Sequence, residues 1–189
     1  MLEQKIEGFM DWLVDKGILY QQERIGQYGN RFWYYKFRTF AEEHGPLTTF
    51  YQKHIVGDKG RTFIGSLLSA TFIDEFPAFL YNYLYRRDIE LIGPRALPVS
   101  HFNDLDKKEQ EERNKYKPAL FNIWYVYFGR IKRRRQLEAI ERKYLAEMKK
   151  AKDSSRKTAV LVVKVKWGAK LCIGVPCQIG LNLYDLIKK

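Results

Sequence analysis

The chain has 189 residues and a formal net charge of +12 at pH 7. Of its residues, 46% are hydrophobic and 15% are aromatic, which excludes a disordered chain and allows a core of its own. The positive charge favours anionic partners such as phosphate groups, acidic lipids or nucleic acid, and charge alone does not choose among them. No repeat or linker divides the sequence, so residues 1–189 are predicted to form one α+β domain.

Cysteine and histidine usage argues against a disulfide scaffold and a zinc site. Cys172 and Cys177 are too few for such a scaffold, no secretory signal precedes the chain, and the three histidines are scattered. We therefore expect reduced thiols in a cytoplasmic compartment. No uninterrupted apolar run of roughly 18 residues occurs, because lysines break the nearest candidate at residues 159–175.

The first forty residues predict a helix followed by a hairpin. Hydrophobic residues recur at helical spacing over residues 1–16, and Gly17 ends this helix. Two strands are predicted over residues 18–25 and 31–40, because residues 26–30 supply turn chemistry between them.

The second strand divides its side chains between two faces. Trp33 and Tyr35 share a face that suits burial, whereas Tyr34, Lys36 and Arg38 share the other. Lys36 and Arg38 therefore point the same way and together suit an anion. The alternative, a pair of solvated cations on an exposed face, stays open.

The middle of the chain predicts a polar connection and three further elements. Pro77 fits the first turn of the second helix, where a missing N–H is tolerated. The predictions are a connection over residues 41–59, helices over residues 62–70 and 74–85, and a strand over residues 91–95.

From Lys107 the chain is strongly charged and predicted to be helical. Residues 132–150 form an amphipathic pattern with a basic face. Such a helix either packs on the core with its charges solvated or lies on an anionic membrane surface, and the pattern permits both.

Two adjacent carboxylates, Asp74 and Glu75, stand at the predicted start of a helix. The positive end of the helix favours ionised carboxylates and attracts phosphate. An ionised carboxylate can attack phosphorus, and a neighbouring one can bind Mg²⁺. The alternative is that the pair only caps the helix, and these two residues alone do not decide.

Cationic residues accompany the acidic pair along the chain. Arg24, Lys36, Arg38 and Arg95 could converge on a diphosphate, because arginine offers bidentate contacts to phosphate oxygens. Singly, each is as readily an ordinary surface cation. The segments that carry these groups are QERIG at 22–26, YKFRT at 35–39, DEFP at 74–77, GPR at 93–95 and KYKP at 115–118.

In this order and spacing the segments resemble the bacterial sugar transferases, also called monotopic phosphoglycosyl transferases. The family pattern contains QERxGxxGxxFxxYKFRTM, then DELPQ, then GDMSLVGPRP, then KPGITGW. The resemblance covers about residues 17–125, and its first block and acidic pair are its most specific parts.

The resemblance implies an enzyme that moves a phospho-sugar from a UDP-sugar to a polyprenyl phosphate. It places this reaction on the membrane surface, at the cytoplasmic face of the bacterial inner membrane, with Mg²⁺ as cofactor. Asp74 matches the nucleophile that forms a covalent phospho-sugar intermediate and releases UMP, and Glu75 matches the second acid tied to Mg²⁺. The implied substrate-binding residues are Arg24, Lys36, Arg38, Arg95, Arg113 and Lys117.

Several departures from the family pattern leave other functions open. Ser66 and Ser69 stand where members carry basic residues, and Ala96 replaces the second proline of GPRP. Residues 1–16 are too short and polar for the family's N-terminal membrane segment, which is apparently missing. A catalytically inactive member that binds partners in the same pathway is the main alternative. A nucleic-acid-binding module is disfavoured because no recognised motif occurs, and no nucleic-acid partner is predicted.

Overall fold

The computed structural model describes residues 2–40, 62–124, 134–154 and 159–187. Helices surround a small antiparallel sheet and a separate parallel pair of strands, which confirms the predicted α+β class. The predicted connection over residues 41–59 lies outside the described residues.

Helix α1 (Leu2–Asp15) is followed by the hairpin of β1 (Leu19–Ile25) and β2 (Arg31–Phe37). Gly17 has a φ of +70°, a left-handed conformation that glycine adopts easily, and it ends the helix. The predicted helix and hairpin are therefore confirmed.

The two faces of the hairpin cover different partners. Leu19 and Tyr35 are buried against α1 on one face. Tyr34 and Lys36 lie on the other face, under the segment that carries the acidic pair. Burial of the first face is incomplete, because Trp33 at its end is 50% exposed.

Helix α2 (Phe63–Ala70) begins after Thr62, whose hydroxyl accepts a hydrogen bond from Gly65 N at 2.9 Å. Phe72 then adopts a left-handed conformation with a φ of 60° and turns the chain. The next helical segment, α3 (Ile73–Tyr85), meets α2 at 85°. Both predicted helices are confirmed, although α3 is irregular: a 3₁₀ turn, one α-helical turn and a π-helical stretch succeed one another.

A parallel pair of strands, β3 (Glu90–Gly93) and β5 (Ala119–Asn122), forms the second small sheet. β5 occupies part of the stretch predicted to be helical from Lys107, and that prediction is wrong there. The physical reason is Pro118, which cannot extend the preceding helix α5 (Lys107–Asn114). The apolar segment after Pro118 pairs with β3 instead. The elements of this region are β3 (Glu90–Gly93), β4 (Leu97–Pro98), α4 (Val99–Asn103), α5 (Lys107–Asn114) and β5 (Ala119–Asn122).

The sheet order β2-β1-β4 brings the segment after β3 to the hairpin. Arg24 in β1 pairs with Pro98 and Ile25 pairs with Leu97. The link between β3 and β4 therefore crosses beside the hairpin face that carries Tyr34, and it contains Arg95.

Helices α6 (Arg134–Asp153) and α7 (Ala159–Ile187) enclose the largest core. Tyr144 and Met148 of α6 pack with Trp167 of α7, and all three are buried. Burial of one apolar face of α6 confirms its predicted amphipathic character.

No single helix in the described part of the chain is long and apolar enough to cross a membrane. The bent pair of α2 and α3 meets the same length and composition criteria jointly.

Candidate active site

One face of the hairpin collects polar and cationic side chains. The antiparallel register sets Tyr20 opposite Lys36 and Gln22 opposite Tyr34, so these side chains share a face. Arg24, two residues beyond Gln22, extends the same face. Strand pairing therefore sets the alternate side chains of β1 and β2 next to one another on one continuous surface.

Glu75 of α3 lies against this surface. Its Oε2 accepts a hydrogen bond from the Tyr34 hydroxyl at 2.7 Å, and its Oε1 bonds the Lys36 ammonium. Burial alone would raise the pKa of Glu75, but Lys36, Tyr34 and Arg24 outweigh it and hold the pKa below its ordinary value. Glu75 is therefore a partly buried carboxylate whose lowered pKa favours the ionised form.

Asp74 precedes Glu75 in the opening 3₁₀ turn of α3 and is 8% exposed. The left-handed Phe72 sets the direction in which this turn begins. Pro77 follows within the first α-helical turn, as its fixed φ requires. The acidic pair thus lies at the start of a helix, as the sequence predicts.

Arg24 is 7% exposed and is held by two acceptors. It bonds the carbonyl oxygen of Ala96 and donates to Gln22 Oε1 at 2.8 Å, with its guanidinium 4.8 Å from the Tyr34 ring centre. Burial lowers the pKa of Arg24, and the nearby Arg95 lowers it further. Two cations thus lie close together beside an ionised glutamate.

Two guanidinium nitrogens on this face lack acceptors. The Nε atoms of Arg24 and Arg38 are buried and have no hydrogen-bond partner among the described residues. Arg38 N donates to Ile18 O at 3.0 Å, which continues the strand pairing one residue beyond β2 and places Arg38 on the face of Lys36 by alternation. Burial raises the pKa of the Tyr20 hydroxyl, and these arginines oppose that rise.

Arg95 is supported from behind by three residues. Its guanidinium lies 4.9 Å from the Trp124 ring centre, and its carbonyl oxygen accepts from Arg113 Nη2 at 2.5 Å. Glu141 bonds Arg113 and accepts from Trp124 Nε1 at 2.6 Å. Arg113 is therefore engaged with Glu141 and the Arg95 backbone.

Lys117 lies apart from this cluster. Its Nζ donates to the carbonyl oxygen of Arg87 at 2.8 Å, and it lines a separate cavity near the end of α3. The structure thus brings Asp74, Glu75, Arg24, Lys36, Arg38 and Arg95 to one region, places Arg113 behind Arg95, and leaves Lys117 outside.

Three residues that shape the site were not predicted from the sequence. Tyr34 was predicted only to share a strand face with Lys36. That alternation was the sequence signal for its contact with Glu75. Trp124 and Glu141 carried no signal, because their contact joins the turn after Asn122 to α6 across 17 residues of chain.

The acidic pair could bind a hard cation. Within the described residues, no group of three or more histidine, cysteine, aspartate or glutamate side chains forms a metal site. Mg²⁺, however, commonly binds through one or two carboxylates together with phosphate oxygens and water. The oxygen donors of Asp74 and Glu75 therefore fit Mg²⁺ in the presence of a phosphate ligand.

Comparison with known proteins identifies the family. The model of the family described as bacterial sugar transferase matches residues 9–164. Galactosyl transferase CpsE of Streptococcus agalactiae serotype III is 31% identical over 118 residues, covering 57% of this chain and 25% of that protein. The uncharacterized sugar transferase EpsL of Bacillus subtilis is 33% identical over 118 residues, covering 62% of this chain and 54% of that protein.

These alignments span about a quarter and about half of the two relatives. The family match, by contrast, covers most of this chain and includes the hairpin, the acidic pair and the Arg95 segment. The chain belongs to the bacterial sugar transferase family.

Proposed function

We propose that the chain transfers a phospho-sugar from a UDP-sugar to a polyprenyl phosphate through a covalent intermediate on Asp74. The observation that carries this proposal is the acidic pair at the start of α3, where Asp74 is buried and Glu75 contacts the cationic hairpin face through Lys36. Family membership supports the class of sugar transfer, and the chemistry of these side chains supports the finer assignment.

In the first step, a carboxylate oxygen of Asp74 attacks the sugar-linked phosphorus of the UDP-sugar. The bond from that phosphorus to the bridging oxygen breaks, and UMP leaves with the bond's electron pair. In the second step, a phosphate oxygen of the polyprenyl phosphate attacks the same phosphorus and the Asp74 carboxylate leaves. The product is a polyprenyl diphosphate sugar, and Asp74 is regenerated.

Arg24 and Arg95 are proposed to hold the diphosphate. Their mutual repulsion, which lowers the pKa of Arg24, is relieved when an anion lies between them. The buried Nε atoms of Arg24 and Arg38 supply donors that phosphate oxygens can satisfy. Lys36 lowers the pKa of Glu75 and so favours its ionised form.

Mg²⁺ is proposed as the cofactor held by Asp74 and Glu75. When bound, it offsets the negative charge of the phosphate oxygens. The Tyr34 hydroxyl and the Lys36 ammonium fix the Glu75 carboxylate from the hairpin side.

A membrane surface is proposed as the site where the polyprenyl acceptor is reached. α2 and α3 expose an apolar surface beside the acidic pair, and its side chains are between 42% and 75% exposed. Exposed apolar area of this kind marks an interaction surface. We propose that this apolar surface contacts the cytoplasmic face of the bacterial inner membrane. The apolar surface consists of Phe63, Ile64, Leu67, Ile73, Phe76, Leu80 and Leu84.

The proposal is tested by UMP release from a panel of UDP-sugars, with polyprenyl phosphate, Mg²⁺ and a membrane mimic. Asp74→Asn removes the nucleophile and is expected to lower release by about 10⁴-fold or more. Chelation of Mg²⁺ is expected to abolish release by the unmodified chain. Asp15→Asn, at an exposed position on α1, is the matched control and retains activity.

Thermal unfolding of Asp74→Asn should match the unmodified chain, so that lost activity reports chemistry. Absence of release with every sugar from folded protein would contradict the enzyme and favour the inactive family member. Release that persists in Asp74→Asn would contradict the assigned nucleophile.

A further inference from the structure

A second cationic site lies at the far end of α3 from the acidic pair. A cavity of about 560 Å³, here called the basic cavity, opens between the end of α3, β3 and helices α6 and α7. None of the residues around Asp74 and Glu75 lines it. The helical segment between the two sites spans roughly 10 Å or more at the usual rise per residue. The charged residues that line it are Arg87, Lys115, Lys117, Lys152, Lys164 and Glu90.

Three of the five cations keep an uncompensated charge. Lys164 bonds Glu90, the one carboxylate of the lining, and Lys115 pairs with Glu112 at 2.6 Å. In the part of the chain that the structure describes, Arg87, Lys117 and Lys152 form no ion pair with a carboxylate. Concentrated charge of one sign in a cavity attracts a ligand of the opposite sign.

Backbone contacts hold these cations at the cavity without neutralising them. Lys117 Nζ donates to Arg87 O at 2.8 Å, and Lys152 Nζ donates to Lys115 O at 3.3 Å. Lys152 Nζ also lies 4.4 Å from the Tyr116 ring centre. Arg87 has a φ of 58°, an uncommon conformation for arginine. The cavity is therefore a shaped site rather than a group of independent surface lysines.

The basic cavity adjoins the apolar surface of α3. Leu84 lines the cavity and is also an exposed apolar residue in the last turn of α3, with 52% of its surface exposed. Ile73, Phe76, Leu80 and Leu84 recur at intervals of three and four residues, so they form one ridge from the acidic pair to the cavity. In a bilayer, the lipid phosphates lie next to the acyl chains. A ridge of apolar side chains that ends at cations can therefore contact both parts of a lipid at once.

We propose that the basic cavity binds the phosphate headgroup of an anionic phospholipid. This inference rests on the membrane surface assigned above. Arg87 and Lys152 contact the phosphodiester oxygens, while the acyl chains lie along the ridge that ends at Leu84. Headgroup capture at one end of α3 fixes the rotation of the molecule on the bilayer, and thereby holds the acidic pair at the membrane surface.

The test measures partition of the full chain into vesicles of phosphatidylcholine alone and of phosphatidylcholine mixed equally with phosphatidylglycerol. Arg87→Gln/Lys152→Gln is expected to lower partition into the mixed vesicles by about thirtyfold, since each cation contributes about fivefold near an anionic surface. Partition into phosphatidylcholine alone should stay unchanged. The matched control, Lys107→Gln/Lys108→Gln, removes the same charge from exposed positions on α5 and should change partition less than about threefold.

Equal losses in both double variants would overturn the site, because a general charge effect would then explain them.

Titration with inorganic phosphate and with UMP distinguishes a soluble phosphate ligand from a lipid headgroup. Saturable binding that Arg87→Gln/Lys152→Gln abolishes, with vesicle partition unchanged, would replace the lipid by a soluble anion. An unmodified chain that binds neither vesicle would overturn the headgroup site and the membrane surface, whereas UMP release in detergent tests catalysis separately.

Discussion

Two glutamates with similar partners, Glu75 and Glu141, have pKa values that are shifted in opposite directions. Glu75 bonds a cation, Lys36, and an aromatic donor, the Tyr34 hydroxyl. Glu141 likewise bonds Arg113 and accepts from the Trp124 indole. The pKa of Glu75 is lowered and that of Glu141 is raised.

The balance between burial and the neighbouring cations and donors decides the difference. Burial is the largest influence on the pKa of both groups and favours the neutral carboxyl. The Glu75 side chain is 14% exposed, and the effect of the nearby cations on its pKa is larger than the effect of burial. The Glu141 side chain is 2% exposed, and there burial outweighs Arg113, Trp124 and Arg95. A cation in contact therefore does not by itself lower the pKa of a buried carboxyl group.

The difference matches what each residue does in the molecule. Glu75 lies next to Asp74, where a stable negative charge suits cation and phosphate chemistry. Glu141 lies behind the site and joins Arg113 to Trp124, and both of these contact Arg95. Glu141 is thus a positioning residue whose charge is secondary to its hydrogen bonds.

The largest expected effect comes from Lys36→Met, which removes the ammonium that opposes burial at Glu75. The pKa of Glu75 should rise, and stability at pH 7 should fall by about 2–4 kcal/mol, because an uncompensated buried charge remains. Denaturant unfolding measures this loss. Lys36→Arg keeps the positive charge and should recover most of the stability. Equal losses in both variants would show that Lys36 acts through packing.

A second prediction compares Glu75→Gln with Glu141→Gln across pH. Glu75 has a lowered folded-state pKa, so its stabilisation is present above the unfolded value of 4.5 and is lost as pH falls through the folded pKa. Glu141 has a raised folded-state pKa, so the unmodified chain gains stability relative to Glu141→Gln as pH falls through that pKa toward 4.5.

Urea unfolding between pH 7 and pH 4 distinguishes the two glutamates, because the stability difference from each glutamine variant should change in opposite directions. At pH 7, Glu75→Gln should cost about 1–3 kcal/mol, and Glu141→Gln should cost less. The same direction of change at both positions would contradict the role assigned to desolvation.

The smallest expected effect comes from Trp124→Phe. The variant loses the N–H that donates to Glu141 but keeps a ring beneath Arg95, so stability should fall by about 1 kcal/mol. UMP release should fall less than about threefold. Trp12→Phe, at an exposed position on α1, is the matched control and should be neutral in both measurements. A much larger loss of release in Trp124→Phe would place the indole N–H in the site itself.

Local sequence signals predicted the elements that carry the candidate site. Alternation and turn residues predicted the hairpin, and helical spacing with Pro77 predicted α3, because these signals depend on neighbours within a few residues. The strand β5 was missed, because its four residues become a strand by pairing with β3 about thirty residues away. Strand pairing of that kind leaves little local pattern.

The sequence by itself determined the family, the acidic pair and the cations that accompany it. Only the tertiary structure decided that Lys36 neutralises Glu75, that Arg113 supports Arg95, and that Lys117 lines a separate cavity. The physical reason is that residue type fixes which charges and donors exist, whereas burial and distance fix their pKa values and partners. Those quantities arise only when elements distant in sequence pack together.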